Sequence, residues 1–581
     1  MNRVSLGVIF ATATVACAPS NVSKPAPTSP SPRPAAAEVF DRFAESYIDW
    51  YLQEHPAHAT YLGVHDYDAF STKHTAEAYE ARKQQLSQWL TKLNAIDRST
   101  LKGDRFFDHR ILEYQLRSRL LSIAEIEYWR KDPRVYSNAA LIGVAPLVDR
   151  RFAPLTERLK SITARLKAFG AIFAAAQRNL SAVPPLWAKL ATNSTRGAVT
   201  YLESSLPQAL KAEGFDQLAP SIRAPFEQAR TEALQATQAY LEWMTTDLAK
   251  NADGDFRLGK ELFEKKLRFE EHVDLTCEQL KDQNERAIAF YQKWVARTAK
   301  RIDPEASSKA VMASITEDFP PPAALISTAT KLVADAQTFV QEKQIIPLPT
   351  DLLPTVRPTP AYRRLSFGSM SAPGPFETKA TEAYYNITNV DPTWDEERQK
   401  QHMTYFNYPG LLGISVHEAV PGHYTHSLYR RQSPSRVRKI FVPRSLTEGW
   451  AHYVEQMMVD EGFGDGDPKV RLGQLRRALQ RHARWYAGVA MHCFGTPLEE
   501  AAKRYQEIAY FAAFPALREV QRGTSDATYL YYALGRMEIL RIRQLERDRR
   551  GQAFNLGRFH QALLAQGLPL PLFEAYLKSS P

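Results

Sequence analysis

Two histidines and a glutamate in the second half of the 581-residue chain have the residue types of a zinc site. They lie in the segment HEAVPGH, which begins at His417, continues with Glu418 and ends at His423. In many zinc hydrolases two imidazoles bind the ion, and the glutamate after the first of them accepts a proton from water. This pattern predicts that His417 and His423 are metal ligands and that Glu418 is a general base.

The spacing of the two histidines does not fit a regular α-helix. Residues six positions apart on such a helix differ by about 120° in direction and about 9 Å in height, which is too far for one ion. Pro421 removes a backbone donor and clashes with the preceding turn, and Gly422 tolerates unusual backbone conformations. We therefore predict a distorted helix that brings both imidazoles to one side.

A third metal ligand is expected on a neighbouring helix, and Glu448 is the candidate, as in the gluzincin class of zinc peptidases. There is an alternative interpretation of both glutamates. Ser415 and Ser445 each precede a glutamate by three residues, which is a capping-box pattern, so that Glu418 and Glu448 can instead satisfy helix N-termini. Capping does not explain His423 or the Pro-Gly insertion, and the metal site is therefore preferred.

Four further residues are candidates for supporting roles. Glu455 lies seven residues after Glu448, on the same helix face, where it can orient a metal-bound histidine. Tyr532 is the candidate hydrogen-bond donor to a substrate oxyanion, with core packing as the alternative. Arg444 is predicted to receive a substrate carboxylate and His452 to contact the substrate. The alternatives are a surface ion pair for the arginine and a partly buried or surface position for the histidine.

The elements that must position these residues are predicted to be mainly α-helical. Apolar residues recur at spacings of three and four over 75–125, 153–180, 205–250 and 258–300. Between about 344 and 392, prolines and alternating residues predict a small β ribbon or sheet before the active-site helix, with 383–388 as an edge strand that a peptide can extend. We predict an N-terminal helical lobe, 39–343, and a C-terminal catalytic lobe, 344–581.

The N-terminal residues predict export. Residues 1–16 have one arginine before a short apolar run, as in a signal peptide, and Cys17 follows in a sequence typical of lipidation sites. Signal cleavage that leaves a soluble periplasmic protein is the alternative. Residues 17–38 are rich in Pro, Ser and Ala and are predicted to be a disordered tether. In an oxidising compartment Cys277 and Cys493 form either one disulfide or two buried thiols.

The charge of the chain argues against a nucleic-acid partner. The 74 basic residues exceed the 64 acidic residues by 10, but the two signs alternate along the sequence. Such alternation is typical of solvated helix faces, and the sequence has no zinc finger, RNP-like strand or basic block. The predicted partners are a peptide substrate and a membrane, which the protein contacts through its lipid anchor.

With these motifs, the chain resembles the bacterial family of domains of unknown function numbered 885 (DUF885), which is grouped with the HExxH-type metallopeptidases and has many lipoprotein-like members. The family motif H-E-x-x-P-G-H matches 417–423, and E-G-W-A-x-Y-x-E matches 448–455. Further matches are Ala59, Thr60, Gly63, His65, Tyr67 and Asp68, Arg257 to Gly259, Tyr532 to Gly535, and Leu564, Gly567 and Pro569. The chain departs from the pattern at Tyr424, His452 and Ser525-Asp526, none of which is a predicted ligand.

The resemblance implies a zincin-like, gluzincin-type architecture and an exported peptidase that lies in the cell envelope facing the periplasm. In this interpretation His417, His423 and Glu448 hold Zn²⁺, and Glu418 assists the attack of water on a peptide bond, most readily in short peptides. Two rivals stay open: a zinc amidohydrolase that acts on cell-wall peptides, and a non-catalytic binding lipoprotein with a structural metal site.

Overall fold

A computed structural model describes residues 35–360 and 367–579. The predicted signal peptide and Cys17 lie outside the described residues, as does most of the predicted tether. Residues 36–38, which we assigned to the end of the tether, instead form the first turn of a helix. Alanine favours helix, and the acidic Glu38 suits a helix N-terminus, so these residues extend the helix that follows them.

The fold is mainly α, as predicted, with 73% helix. Before the sheet the helices are α1 Ala36–Glu54, α2 Pro56–Leu62, α3 Ala76–Asn94, α4 Asp104–Leu121, α5 Tyr128–Lys131, α6 Arg134–Asp149, α7 Leu155–Lys167, α8 Phe169–Asn179, α9 Pro185–Thr200, α10 Leu206–Lys211, α11 Pro220–Trp243, α12 Ala249–Asn251, α13 Gly259–Glu271, α14 Cys277–Ile302, α15 Ser308–Ser314 and α16 Leu325–Glu342.

A small three-stranded sheet follows, also as predicted. It consists of β1 (Thr355–Pro358), β2 (Gly368–Ser371) and β3 (Tyr384–Ile387). β3 lies in the centre, parallel to β1 and antiparallel to β2. The prediction of an edge strand at 383–388 is therefore wrong, since both sides of β3 are paired. Its residues Tyr385 and Ile387 are buried in the interior of the protein, which suits a central strand.

The helices after the sheet carry the predicted site. They are α17 Glu396–Met403, α18 Tyr408–Glu418, α19 His423–Gln432, α20 Arg436–Ile440, α21 Arg444–Asp460, α22 Pro468–Phe494, α23 Leu498–Ala509, α24 Ala513–Gly523, α25 Tyr531–Arg550, α26 Leu556–Gln566 and α27 Leu570–Ser579. Among the described helices, none is both long and apolar enough to cross a bilayer.

Apolar cores join the two halves of the chain. All five apolar clusters of the described residues draw side chains from both sides of residue 343, although in one of them Ala380 is the single buried member from the C-terminal side. Tyr47 and Phe441, for example, pack ring to ring at 6.0 Å between centroids. The fifth cluster lies almost wholly within 136–248. Packing therefore crosses the lobe boundary that we predicted, because helical periodicity identifies an apolar face but not the helix that covers it.

A disulfide also connects the halves. Cys277, the first residue of α14, is bonded to Cys493 near the end of α22. The sequence left open whether these cysteines are paired or free, and the structure joins them. α14 and α22 pack along each other, so the bond closes one end of an existing helix pair.

Candidate metal centre

A break between two helices places the two histidines of the HEAVPGH segment. α18 ends at Glu418 and α19 begins at His423, with a short turn between them. Our prediction of one distorted helix is corrected in this respect: the helix stops and restarts. Pro421 lacks the backbone N–H that a continuous helix needs, and its carbonyl accepts a hydrogen bond of 2.8 Å from Nε1 of Trp450 on α21.

Gly422 allows this turn to close because no side chain fits there. A Cβ atom at this position would lie 2.0 Å from the backbone oxygen of His417 and 2.3 Å from that of Val416. These contacts are far shorter than van der Waals separations. The glycine therefore lets His423 return to the side of His417.

We expect Gly422→Ala to weaken metal binding at least tenfold and to destabilise the fold by about 1–3 kcal/mol, because the turn must open to admit the methyl group. Competition with a chromophoric chelator measures the affinity, and thermal unfolding measures the stability. Gly170→Ala is the matched control, since its Cβ meets nothing within 4 Å. Unchanged affinity in Gly422→Ala would contradict the role of the turn.

Three side chains converge where the sequence predicts metal ligands. Oε2 of Glu448 lies 3.3 Å from Nε2 of His423 and 3.6 Å from Nε2 of His417. One ligand atom from each residue lies within 4.8 Å of the others, and the two imidazole rings are nearly perpendicular at 87°. Ligands at about 2.0–2.1 Å from a tetrahedral zinc are about 3.3 Å apart. The spacing and chemistry of the three donors therefore fit one zinc ion.

Charge makes the centre favourable for a cation. Burial alone would raise the pKa of Glu448, but the charge of His423 and hydrogen bonds from His417 and His423 hold it well below its ordinary value. Burial alone would lower the pKa of His423, but Glu448 and the more distant Glu418 and Glu455 raise it to about 9. A proton shared with carboxylates occupies the position that a metal ion would take, so metal and protons should compete for this centre.

Glu455 holds His417 from behind, as its position on α21 predicts. Nδ1 of His417 contacts Oε1 of Glu455 at 2.7 Å, which directs Nε2 towards the centre. The carboxylate is 2% exposed and accepts two hydrogen bonds from Arg477, at 2.6 and 2.9 Å. Burial alone would raise the pKa of Glu455, but first the charge of Arg477, then that of Arg481 and the hydrogen bond from His417, hold it well below its ordinary value. Glu455 therefore stays ionised beside His417.

Sequence reasoning missed Arg477 and Trp450. Arg477 lies on α22, 22 residues after Glu455, and no motif surrounds it, so only the packing of α21 on α22 shows that the two meet. Trp450 lies inside the E-G-W-A element, and this motif was the feature of the sequence that could have identified it. Its hydrogen bond to the turn explains why an aromatic N–H is needed there.

Tyr532 lies on α25, which crosses α21 closely. A Cβ at Gly535 would lie 2.0 Å from the backbone oxygen of Ser445, so this crossing requires glycine. Tyr532 is largely buried, with the guanidinium groups of Arg484 and Arg481 5.0 and 5.5 Å from its ring centroid. Its hydroxyl has no hydrogen-bond partner within the described chain. This arrangement leaves the hydroxyl available as a donor.

Glu418 and Arg444 are both accessible to solvent and lie near proposed ligands in the sequence. Glu418 is the residue after His417 and is partly exposed. Arg444 begins α21, one helical turn before Glu448, and its side chain is 55% exposed. It lies 3.3 Å from Asp526, packs over the ring of Tyr531 and lines a cavity of about 550 Å³. Arg444 can therefore meet a ligand in this cavity, whose lining does not include His417, His423 or Glu448.

His452 has a different environment from the one we predicted. It is 0% exposed, and its Nδ1 lies 3.5 Å from Oε1 of Glu455, inside the protein. The helix face that carries His452 is covered by α22 and α25, which both pack on α21. Direct contact with a substrate does not suit such a position. His452 lies one helical turn after Glu448 on the same side of α21, and sequence alone could not show that this turn is covered while the turn of Glu448 is partly exposed.

These features define a class: a helical protein in which a His-Glu pair, a second histidine and a glutamate from a neighbouring helix meet at one centre. The chain matches the family described as bacterial protein of unknown function (DUF885) over residues 56–577, and it belongs to this family. No curated protein matches the chain.

Two solved structures have a similar fold. One is described as "a putative lipoprotein of unknown function from Shewanella oneidensis"; it is 26% identical, with a TM-score of 0.78, and the alignment covers 93% of this chain and all (100%) of that one. The other, "the putative lipoprotein from Colwellia psychrerythraea", is 16% identical, with a TM-score of 0.76 and coverage of 94% and 98%. The second likeness concerns the fold alone.

Proposed function

We propose that this protein is an exported zinc-dependent metallopeptidase with a zincin-like catalytic arrangement. The proposal depends on one observation, the convergence of His417, His423 and Glu448 on a single centre. Two imidazoles and one carboxylate are a ligand set that leaves one coordination position open in catalytic zinc sites, whereas structural zinc sites usually have four protein ligands. This difference favours the peptidase over a structural metal site.

The positions of the side chains support a role for each of them in this proposal. When bound, Zn²⁺ supplies Lewis-acid chemistry, which lowers the pKa of water to about 7. Glu418, adjacent to His417, accepts a proton from the attacking water and returns it to the leaving amine. The Tyr532 hydroxyl donates a hydrogen bond to the oxyanion. Arg444 receives a substrate carboxylate.

We also propose a lipid anchor at Cys17. The support is the signal-like sequence of residues 1–16 and the description of the 26% identical structure as a "putative lipoprotein". A single lipidated terminus would hold the enzyme at the surface of a membrane in the cell envelope, facing the periplasm.

Metal analysis with product identification tests the proposed function. We expect about one equivalent of zinc per purified mature chain and cleavage of short peptides, with activity lost to a chelator and restored by zinc. Peptidoglycan fragments assayed in parallel separate peptidase from amidohydrolase activity on cell-wall peptides. A chain without stoichiometric divalent metal, or one that binds zinc and leaves every peptide intact, would overturn the proposal.

A further inference from the structure

A buried arginine beside the metal centre has no anionic partner. Arg536 lies on α25 next to the close crossing with α21 and is 0% exposed. Its Nη2 lies 2.9 Å from Nε2 of His482, and its guanidinium packs over the ring of Tyr291. Nε and Nη1 have no hydrogen-bond partner, and no carboxylate in the described chain forms an ion pair with this residue. A buried guanidinium is expected to have both.

Unpaired polar atoms from two other helices belong to the same region. Both ring nitrogens of His452 on α21 are buried without a hydrogen bond, and so is Nε of Arg481 on α22. Nδ1 of His452 lies 3.5 Å and Nη2 of Arg481 3.8 Å from the same oxygen of Glu455. A Cβ at Gly449, three residues before His452, would lie 3.2 Å from the backbone nitrogen of Arg536. The three residues therefore belong to one buried region, and each has unused hydrogen-bonding capacity.

The charges around this region do not balance. Glu455 is the carboxylate next to this region, and it already pairs with Arg477. Nη2 of Arg481 lies 3.8 Å from Oε1 of Glu455, which is too far for a hydrogen bond. His452 and His482 add no positive charge, because burial first of all holds their pKa values well below the ordinary value. Three guanidinium groups, those of Arg477, Arg481 and Arg536, therefore share this buried region with one carboxylate, which contacts the first two. Glu418 and Glu448 belong to the metal centre, where a bound cation would take up their charge.

We propose that Arg536, together with Arg481 and His452, binds a small monovalent anion, chloride in the first instance, in the protein interior behind Glu455. The unpaired N–H groups of the two arginines donate to it, and the neutral His452 ring adds a third donor. A small ion suits the site because all three residues are buried, and the remaining side of Arg536 is covered by the Tyr291 ring. The anion supplies the negative charge that the chain itself lacks there, and its binding does not require the proposed peptidase activity.

Bromide provides the direct test, because it replaces chloride and scatters anomalously. In crystals of the full mature chain grown with sodium bromide, we expect an anomalous peak within hydrogen-bond distance of Arg536. In solution, sodium chloride should raise the melting temperature saturably by about 1–3 °C over sodium gluconate at equal ionic strength. An ordered water without anomalous signal, or equal melting temperatures in both salts, would overturn the proposal.

Two variants and removal of the metal distinguish halide binding at Arg536 from general salt effects and from halide binding to the metal ion. Arg536→Gln should abolish the chloride response, whereas Arg541→Gln, an exposed arginine on the same helix, should keep it. If Arg536→Gln does not fold, the bromide experiment on the wild-type chain still decides. The response should persist after chelator treatment. A response that disappears with the metal would mean that the halide binds the metal ion, and the anion site would then be rejected while the proposed function stands.

Discussion

Glu418→Gln should retain the metal content of the wild-type protein and lower kcat for peptide cleavage by about 10³-fold, since general bases contribute about 10²–10⁴-fold to such reactions. Glutamine has nearly the same shape as glutamate but cannot accept the proton of the attacking water. Within the described chain the Glu418 side chain makes no hydrogen bond or ion pair, so its replacement should not disturb the fold. Metal analysis and steady-state kinetics on the same preparation measure both quantities.

Glu448→Gln is the informative contrast to that variant. It changes a proposed ligand in the same conservative way, so it should lose both metal and turnover, with a fold that stays intact in circular dichroism. Loss of metal in Glu418→Gln would identify Glu418 as a ligand and contradict its role as a base. Full activity in Glu418→Gln would remove the proposed mechanism altogether.

The ligand set could be predicted from the sequence because its signal is local. His417, Glu418 and His423 lie within seven consecutive residues, and Pro421 with Gly422 indicates that the backbone must change direction there. The sequence did not show whether the helix bends or stops. That outcome depends on contacts made at a distance, such as the hydrogen bond from Trp450 to the turn.

Features that depend on tertiary partners could not be predicted. The small sheet was recognisable from its alternating residues. The order of its strands, with β3 in the centre, cannot be predicted from the sequence of any single strand. The same holds for His452 and Glu455, three residues apart on α21. Their burial follows from the helices that cover them, and apolar periodicity does not identify those helices.

Glu455→Gln should have the largest effect on stability, about 3–5 kcal/mol in the free energy of unfolding. The substitution leaves the buried Arg477 without an anion, and removing one partner of a buried ion pair costs about this much. It should also weaken metal binding about 10–100-fold, because an amide orients His417 less well than a carboxylate does. Chemical denaturation of the metal-free chains measures the first effect and chelator competition the second.

The pH dependence of that stability loss has a defined direction. Arg477 and the other neighbours hold the pKa of Glu455 well below its ordinary value in the folded protein, while burial opposes them. The ion pair therefore contributes fully above the ordinary glutamate pKa and is lost as the pH falls through the lower, folded-state value. Glu455 also helps to raise the pKa of His423, so the gap between wild type and Glu455→Gln in the metal-free chains should be constant only below the ordinary histidine pKa, from about pH 6 to about 5, and should narrow in stronger acid.

Glu519→Gln is the matched control that separates the two effects. Glu519 pairs with the buried Arg484 through two hydrogen bonds of 2.8 and 2.9 Å, as Glu455 pairs with Arg477, but it does not contact His417. It should lower stability without changing metal affinity. If both variants lost metal affinity equally, the loss would reflect general loosening of α22 and not the hydrogen bond to His417. A selective loss in Glu455→Gln would show that this carboxylate positions a metal ligand.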